Sequence, residues 1–229
     1  MKNLSLLEKK LDLNFRDKSI FENVFVHRSY LNEHKNFYLK SNEKLEFLGD
    51  SVLSLVTSVF LYKKYPLLVE GDYTEIKAAI VRTESLAEAA VMLELGEYLY
   101  LSRGQDRESG RKNKNILADC FEALIGAIFI DQTFETAYTF VLKYLFSNKL
   151  DKIIKNKLYL SPKSRLQEYT QSKFKTTPTY KVIKEVGPEH DRIFKVEVLV
   201  KERKYGVGIG KSKKEAEEKA AKNTLQKML

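Results

Sequence analysis

Two apolar stretches of this 229-residue chain carry acidic side chains inside them. The first runs from Glu43 to Leu53 and the second from Ile116 to Gly126. Because desolvating an ionised carboxylate is costly, acids in apolar helices normally have a compensating partner. Neither stretch has a Lys or Arg at a spacing that could pair with all of its acids. The chain must therefore bring a different compensating group to both stretches.

The acids of each stretch fall on a single face of an α-helix. Glu43, Glu46 and Asp50 follow one another at intervals of three and four residues, and Asp119 and Glu122 at three. A hard cation such as Mg²⁺ prefers oxygen ligands and would satisfy several of these groups at once. The pattern therefore predicts a metal-dependent hydrolytic site. The alternative, ordinary surface acids, has most weight for Glu43, because an acid at a helix start favours the helix dipole.

Composition places the chain among globular proteins, with 43% hydrophobic and 31% charged residues. Cys120 is the single cysteine, so neither a disulfide framework nor a zinc cluster is expected. No apolar run reaches the roughly 18 residues of a membrane span, and the first ten residues lack the apolar core of a secretory signal. We expect a cytoplasmic protein that does not use a membrane.

The excess positive charge is concentrated in the C-terminal part of the chain. The formal net charge is +9, of which residues 161–229 carry +8 and residues 1–160 carry +1. This asymmetry favours a module that binds a polyanion, attached to a part of different function. A solvated lysine-rich surface is the alternative that composition alone leaves open.

Residues 1–150 show apolar positions at helical spacing and predict a mostly helical domain. The predicted helices are Ser51–Tyr62, Ile76–Leu93, Leu117–Ile130 and Phe134–Phe146. Ser41 or Asn42 can cap the first acidic helix, and Pro66 follows its end. Gly71 and Asp72 are expected to break the chain, and residues 103–115 to form a polar loop before the second acidic helix.

A second unit is predicted after a short polar linker at residues 151–160. Residues 161–229 read as helix, three strands and helix, with the outer helices at Pro162–Lys173 and Ser212–Met228. The strands are expected at Thr179–Val186, Phe194–Val200 and Lys204–Gly210. The order α-β-β-β-α indicates a small α+β domain.

The first acidic stretch closely resembles the signature of the ribonuclease III family. The run from Asn42 to Ser51 departs from it only at Lys44, where the family usually has arginine. The second stretch, the triplet His27-Arg28-Ser29 and the triplet Glu70-Gly71-Asp72 also resemble family motifs, in the family's order. The resemblance covers essentially the whole chain.

This resemblance implies a site and a mechanism. The implied metal ligands are Glu46, Asp50, Asp119 and Glu122, with Asp50 and Glu122 nearest the chemistry and Glu43 and Glu70 as supporting acids. Two hard ions held by carboxylates can clamp a phosphodiester and help to deprotonate the attacking water. Hydrolysis in the family leaves 5′-phosphate and 3′-hydroxyl ends. The resemblance also implies a homodimer, with Phe47 inserted into the second subunit; burial in its own core is the alternative for Phe47.

The C-terminal unit resembles a double-stranded RNA-binding domain. The residues that would contact RNA are Gln167, Gln171, His190, Lys211, Lys213 and Lys214. The three lysines lie at a predicted helix start, where the helix dipole also favours phosphate. The glutamines and the loop of His190 can reach 2′-hydroxyls in the shallow minor groove of A-form RNA.

The sequence thus predicts an all-α nuclease domain (residues 1–150) followed by a small α+β double-stranded RNA-binding domain (residues 161–229). The expected activity is Mg²⁺-dependent endonucleolytic cleavage of double-stranded RNA, with Mn²⁺ able to substitute. Precursors of ribosomal, messenger and transfer RNA are the substrates that the family suggests. A non-catalytic RNA-binding protein is one alternative, which loss of a carboxylate would have favoured. A small-nucleotide phosphohydrolase is the other, and the basic C-terminal unit argues against it.

Overall fold

The chain forms two compact units, Met1–Lys152 and Ile153–Leu229. We refer to them as the helical unit and the basic unit. The computed structural model describes residues 3–146, 150, 153–157, 159–188 and 191–228. Within those residues the helical unit has no strand longer than a single bridge, between Val26 and Tyr100, whereas the basic unit contains a three-stranded sheet. The predicted fold class is confirmed.

Nine α-helices make up most of the described part of the helical unit. They are α1 (Leu4–Leu11), α2 (Lys18–Asn23), α3 (Arg28–Glu33), α4 (Glu43–Lys64), α5 (Glu70–Ile80), α6 (Thr83–Met92), α7 (Arg103–Arg107), α8 (Lys114–Asp131) and α9 (Phe134–Val141). The described residues also contain two 3₁₀ turns, Leu95–Tyr98 and Gly110–Lys112, and a π turn, Leu142–Phe146. Both acidic stretches lie on long helices, α4 and α8, as predicted.

Three details differ from the sequence prediction. The predicted helix Ile76–Leu93 is two helices, because Arg82 has an extended backbone (φ −67°, ψ 150°) that separates α5 from α6. Gly71 lies inside the first turn of α5 and does not break the chain; the acids on either side of it favour a helix start. The polar segment 103–115 is not one loop, since Ser102 caps α7 and Asn113 caps α8 with their side-chain oxygens.

Helices α4 and α8 cross with their backbones in contact at two glycines. A Cβ on Gly49 would lie 1.8 Å from the carbonyl oxygen of Glu122, and a Cβ on Gly126 would lie 2.3 Å from that of Leu45. Only residues without a side chain allow this approach. The crossing is flanked by buried apolar residues such as Leu53 and Phe121. It therefore fixes the acidic face of one helix against that of the other.

The extended segment before α3 anchors the starts of both α3 and α4. The backbone N–H of His27 donates to the carbonyl of Tyr100 (3.2 Å), and the N–H of Asn42 donates to the carbonyl of Val26 (2.8 Å). The side-chain amide of Asn42 donates to the carbonyl of Val24 (2.9 Å). Asn42 precedes α4, as predicted, but its side chain bonds to the extended segment before α3 and makes no cap hydrogen bond to α4. Pro66 follows the end of α4, as predicted.

The basic unit has the predicted α-β-β-β-α order. It comprises α10 (Pro162–Phe174), β1 (Thr179–Val186), β2 (Ile193–Val200), β3 (Arg203–Gly210) and α11 (Lys213–Met228). The antiparallel sheet has the strand order β1-β2-β3. Its inner face buries Val196 and Val198 against α10 and α11, together with Leu166 and Ala220. Alternate glycines of β3, such as Gly208, let α11 approach the sheet, because a Cβ there would lie 2.1 Å from the carbonyl of Ala216.

Helix α4, with 22 residues, is long enough and apolar enough to cross a bilayer by length and composition alone. This is weak evidence, because the core helix of a soluble protein passes the same test. Within the described residues α4 packs along α8 and carries the first set of carboxylates.

Candidate active site and RNA-binding surface

Three carboxylates meet where α4 crosses α8. One oxygen from each of Glu46, Asp119 and Glu122 lies within 4.8 Å of the other two. All three side chains are half-buried. Glu46 comes from the first acidic stretch and the other two from the second, so the crossing at Gly49 and Gly126 is what unites them. We call these three residues the acidic cluster.

Asp50 lies at the rim of the acidic cluster. It is one helical turn after Glu46 on α4 and is exposed. Its charge nevertheless raises the pKa of Glu122 and of Glu46, so it is within electrostatic range of both. The structure therefore brings together three of the four predicted ligands and leaves the fourth beside them.

Burial and mutual repulsion disfavour the ionised forms of these acids. Desolvation is the largest cause that raises the pKa of Glu122, to about 8, followed by the charges of Asp50, Glu46 and Asp119. Desolvation likewise raises the pKa of Glu46 and of Asp119. Carboxylates that repel one another across a few ångströms are suited to hold a divalent cation, which removes the repulsion. The donor set, oxygens alone, fits Mg²⁺ or Mn²⁺.

A cation from α3 faces the same acids. Nη1 of Arg28 lies 3.6 Å from Oε1 of Glu43, and its charge offsets part of the rise that burial causes in the pKa of Glu46 and of Asp119. The sequence motif contained Arg28, but no role was predicted for it. It is 15 residues from Glu43 in the chain, so helical periodicity could not pair them. The other oxygen of Glu43 accepts from the hydroxyl of Ser41 (2.6 Å).

Two other predicted residues of the helical unit lie outside the acidic cluster. Glu70 is the first residue of α5 and is exposed; its carboxylate accepts from the hydroxyl of Thr74 (3.2 Å). Phe47 is 77% exposed on α4, so it is not buried in the core of its own chain. The exposed side chains of Leu55 and Tyr62 continue from Phe47 along one face of the helix. Cys120 is fully buried, as predicted.

The predicted RNA-binding residues of the basic unit are exposed on two helices. Gln167 and Gln171 lie one turn apart on α10. Lys211, Lys213 and Lys214 surround the start of α11, where the hydroxyl of Ser212 accepts from the N–H of Glu215. His190 lies outside the described residues. The lysine side chains are exposed to solvent at a helix end that favours anions.

The two units match two families in the same order. Residues 17–149 match the model described as Ribonuclease-III-like, and residues 162–228 match the double-stranded RNA binding motif. The first match spans more than half of the chain. This chain belongs to the ribonuclease III family.

Relatives of similar length support this membership. A protein named Ribonuclease 3 from Chloroflexus aurantiacus is 44% identical over 224 residues, which cover 97% of this chain and 90% of that protein. One of the same name from Treponema denticola is 45% identical over 94% of this chain and 87% of its own length. The nuclease domain of ribonuclease III from Campylobacter jejuni has a similar structure (TM-score 0.59, 36% identity), covering 64% of this chain and 98% of that one.

Family membership gives the activity of the chain. As a ribonuclease III with a double-stranded RNA-binding domain, it is an endoribonuclease that hydrolyses double-stranded RNA. The family depends on divalent metal, and the acidic cluster fits that requirement. The predictions of fold class, family and enzyme activity are thereby confirmed, and the non-catalytic alternative is wrong.

Proposed function

We propose that Glu46, Asp50, Asp119 and Glu122 hold Mg²⁺ at the α4–α8 crossing and that this is the site of RNA cleavage. The observation that carries the proposal is the approach of three half-buried carboxylate oxygens within 4.8 Å. Mn²⁺ has the same preference for oxygen ligands and would substitute. Asp50 and Glu122 are proposed to act nearest the reacting phosphate, because Asp50 is the exposed neighbour of the most strongly perturbed acid. Glu43 and Glu70 are proposed as supporting acids.

The metal, when bound, supplies Lewis acidity for the phosphate and a lowered pKa for the attacking water. The chain's own contribution is a rigid donor set. Backbone contact at Gly49 prevents Glu46 and Glu122 from moving apart to relieve their repulsion. Glu122, with a pKa of about 8, must lose its proton for the site to take up a cation at neutral pH. In-line attack by water with expulsion of the 3′ oxygen yields 5′-phosphate and 3′-hydroxyl ends.

The basic unit is proposed to hold the RNA duplex while the helical unit cuts it. Gln167 and Gln171 would contact the minor groove and the lysines at the start of α11 the phosphates. A domain of this type recognises A-form shape more than sequence, across about 16 base pairs. His190 is included on the sequence resemblance. The proposed domain boundaries are 1–150, 151–160 for the linker and 161–229. The division of the chain into compact units after Lys152 supports the first of them.

We also propose that the chain acts as a homodimer through the exposed apolar face of α4. Phe47, Leu55 and Tyr62 are 77%, 53% and 74% exposed on one face of a single helix. Large apolar side chains aligned in this way are typical of subunit interfaces. The similar nuclease domain from Campylobacter jejuni has a region involved in dimer formation. Phe47 follows Glu46 directly, so this interface would border the acidic cluster.

The proposed substrates are structured precursors of ribosomal, messenger and transfer RNA, cut in the cytoplasm without a membrane. The test is incubation of the chain with a long perfect RNA duplex, with Mg²⁺ and then with EDTA, followed by sequencing of the products. Cuts within the duplex that leave 5′-phosphate and 3′-hydroxyl ends, only when metal is present, are expected. Cleavage in EDTA would contradict the metal site, and cleavage of single-stranded RNA alone would contradict the substrate class.

A further inference from the structure

Arg28 is an exposed cation at the edge of the acidic cluster. It is the first residue of α3, and its side chain is 74% exposed. Nη1 lies 3.6 Å from Oε1 of Glu43, which shares the first turn of α4 with Glu46 of the acidic cluster. The guanidinium therefore lies beside the end of α4 that carries the cluster.

The backbone, rather than the ion pair, holds Arg28 in this place. The N–H of His27 donates to the carbonyl of Tyr100, and the imidazole Nδ1 of His27 lies 3.2 Å from the backbone nitrogen of Ser29, whose N–H it caps. The hydroxyl of Ser29 in turn accepts from the N–H of Ser102 (3.1 Å). These bonds fix the start of α3 on both sides of Arg28. The same extended segment anchors Asn42, the residue before Glu43.

The contact between Arg28 and Glu43 is easily exchanged for another. At 3.6 Å it is longer than a hydrogen bond, and the side chains are 74% and 53% exposed. Exposed ion pairs of this kind contribute little to stability. The guanidinium therefore keeps its donors available for an anion that approaches from solvent. A planar guanidinium binds phosphate with two parallel N–H donors, which lysine cannot reproduce.

We propose that Arg28 binds a phosphate of the RNA strand that is cut and positions that strand at the acidic cluster. The proposal rests on the proposed function of the cluster as the cleavage site. Carboxylates repel the RNA backbone, so the strand needs a cation near the cut to hold it there. Arg28 leaves Glu43 and donates to the phosphate, with no change in the position of α3. It is a substrate-positioning residue, distinct from the residues that hold metal.

A different role for Arg28 would be to screen the carboxylates from one another. The two roles predict different responses to Mg²⁺. Removal of a cation that only screens would strengthen Mg²⁺ binding, so cleavage would reach the wild-type rate at a lower Mg²⁺ concentration. Removal of a phosphate contact would lower the cleavage rate even when Mg²⁺ is saturating.

The experiment compares wild type with Arg28→Gln, Arg28→Lys and the control Arg16→Gln on a perfect RNA duplex. Arg16 is also exposed in the helical unit, and its N–H donates to Asp131, at the far end of α8. Asp131 is nine residues beyond Glu122, or about 14 Å along the helix. The control Arg16→Gln therefore removes the same charge at a site remote from the acidic cluster. Single-turnover cleavage is measured over a Mg²⁺ series, with duplex affinity in EDTA and thermal unfolding measured on the same samples.

We expect Arg28→Gln to lower the rate at saturating Mg²⁺ by about ten- to a hundredfold, the range for a hydrogen bond between charged groups. Arg28→Lys should recover part of the rate, because lysine keeps the positive charge but lacks the two parallel N–H donors of the guanidinium. Arg16→Gln should stay within about twofold, since distant surface charges have little effect. Duplex affinity in EDTA should change by less than about threefold, because most phosphate contacts lie elsewhere.

Several results would overturn the role of Arg28. If Arg28→Gln cleaves at the wild-type rate at saturating Mg²⁺, Arg28 does not bind the phosphate and only screens the carboxylates from one another. An equal loss in Arg28→Gln and Arg28→Lys, accompanied by a lower melting temperature, would make Arg28 structural. If wild type itself does not cut the duplex with Mg²⁺, the proposed function fails and this proposal fails with it. A loss confined to the Arg28 variants cannot be confused with that outcome.

Discussion

The helical unit concentrates its function at one point, whereas the basic unit spreads its function over a surface. Glu46, Asp119 and Glu122 lie within 4.8 Å of one another, and their positions depend on a backbone contact between two helices. The proposed RNA-binding glutamines and lysines of the basic unit are exposed on α10 and at the start of α11. A point site should fail when one member is removed, whereas a surface should weaken in steps.

The two regions also differ in what their function costs. Burial, followed by repulsion from the neighbouring carboxylates, raises the pKa of Glu122, so its ionised form is unfavourable in the folded protein. The exposed lysines of the basic unit remain solvated, with little loss of stability. The metal-free helical unit should therefore be the part whose stability depends on pH and on cations.

Glu122→Gln should produce the largest loss of activity. The change keeps the shape of the side chain but removes a charge that is proposed to hold metal, so cleavage should fall at least about a thousandfold. Duplex affinity should stay within about twofold, because it depends on phosphate contacts made elsewhere. Cleavage and filter binding on the same duplex provide the measurement.

The matched control for Glu122→Gln is Glu135→Gln, in the exposed first turn of α9 beyond the far end of α8. It should cut at the wild-type rate. Near-normal turnover of Glu122→Gln at saturating Mg²⁺ would remove Glu122 from the site.

Gly49→Ala and Gly208→Ala should each disrupt one unit. The new Cβ would lie 1.8 Å from the carbonyl of Glu122 or 2.1 Å from that of Ala216, so each helix contact must open, at a cost of about 3 kcal/mol or more. Gly49→Ala should impair cleavage and keep duplex binding, while Gly208→Ala should impair binding and leave the acidic cluster intact. Circular dichroism during chemical denaturation gives the free energy of unfolding.

Gly71→Ala is the control for both glycine substitutions. It is in the first turn of α5 with no atom within 4 Å of the new Cβ, so the substitution should change the free energy of unfolding by at most about 0.5 kcal/mol. If Gly49→Ala were equally well tolerated, the close crossing of α4 and α8 would be refuted.

Phe47→Ala should weaken the homodimer by about 2 kcal/mol, the loss typical of a buried aromatic at a subunit contact. Cleavage at dilute protein should fall with it, while the basic unit still binds RNA. Sedimentation over a concentration series measures the dimer, with Leu6→Ala, an exposed apolar residue of α1, as the control. An unchanged dimer in Phe47→Ala would exclude this face of α4 as the interface.

Replacement of Lys211, Lys213 and Lys214 by Ala should weaken duplex binding by a graded amount that depends on salt. Each lost phosphate contact removes roughly one counterion from the salt slope, so the slope should decrease by up to about 3. Cleavage should recover partly at low salt, because the acidic cluster is intact. Parallel salt slopes for wild type and variant would mean that these lysines do not contact phosphate.

The stability of the metal-free protein should fall as pH rises. Glu122 has a pKa of about 8 when folded and about 4.5 as its ordinary value, so between these limits the folded state binds the extra proton. The stabilisation of the folded state by protonated Glu122 is fully present below pH 4.5 and is lost as the pH rises through about 8. Allowing for solvent screening, the loss is about 1 kcal/mol. The difference between the melting temperatures at about pH 6 and about pH 8.5 should be smaller in Glu122→Gln than in wild type. If the two proteins show the same difference, a group other than Glu122 causes the pH dependence.

Local patterns in the sequence predicted most of the fold. The strands of the basic unit and helix α8 follow directly from the apolar periodicity of the sequence. The sequence does not predict the break between α5 and α6 at Arg82, because the apolar positions continue at helical spacing across it. A glycine in a polar segment predicts a break, but Gly71 lies in the first turn of a helix, where its flexibility matters little.

The site was predicted as two separate helix faces, and periodicity cannot say how two helices meet. Gly49 and Gly126 determine that meeting, and their effect depends on the partner backbone. The contact of Arg28 with Glu43 is likewise tertiary, since both residues depend on the extended segment before α3. Asp50 shares the predicted face of α4, yet its exposure could be learned only from the crossing.

Direct binding of Mn²⁺ tests most directly the claim that the α4–α8 crossing holds the catalytic metal. The paramagnetic resonance signal of free Mn²⁺ is followed as wild type, Glu122→Gln and Glu135→Gln are titrated in the absence of RNA. Wild type and Glu135→Gln should bind alike, and Glu122→Gln at least about tenfold more weakly. Equal Mn²⁺ affinity in all three proteins would contradict the account, because the metal would then be held by other residues.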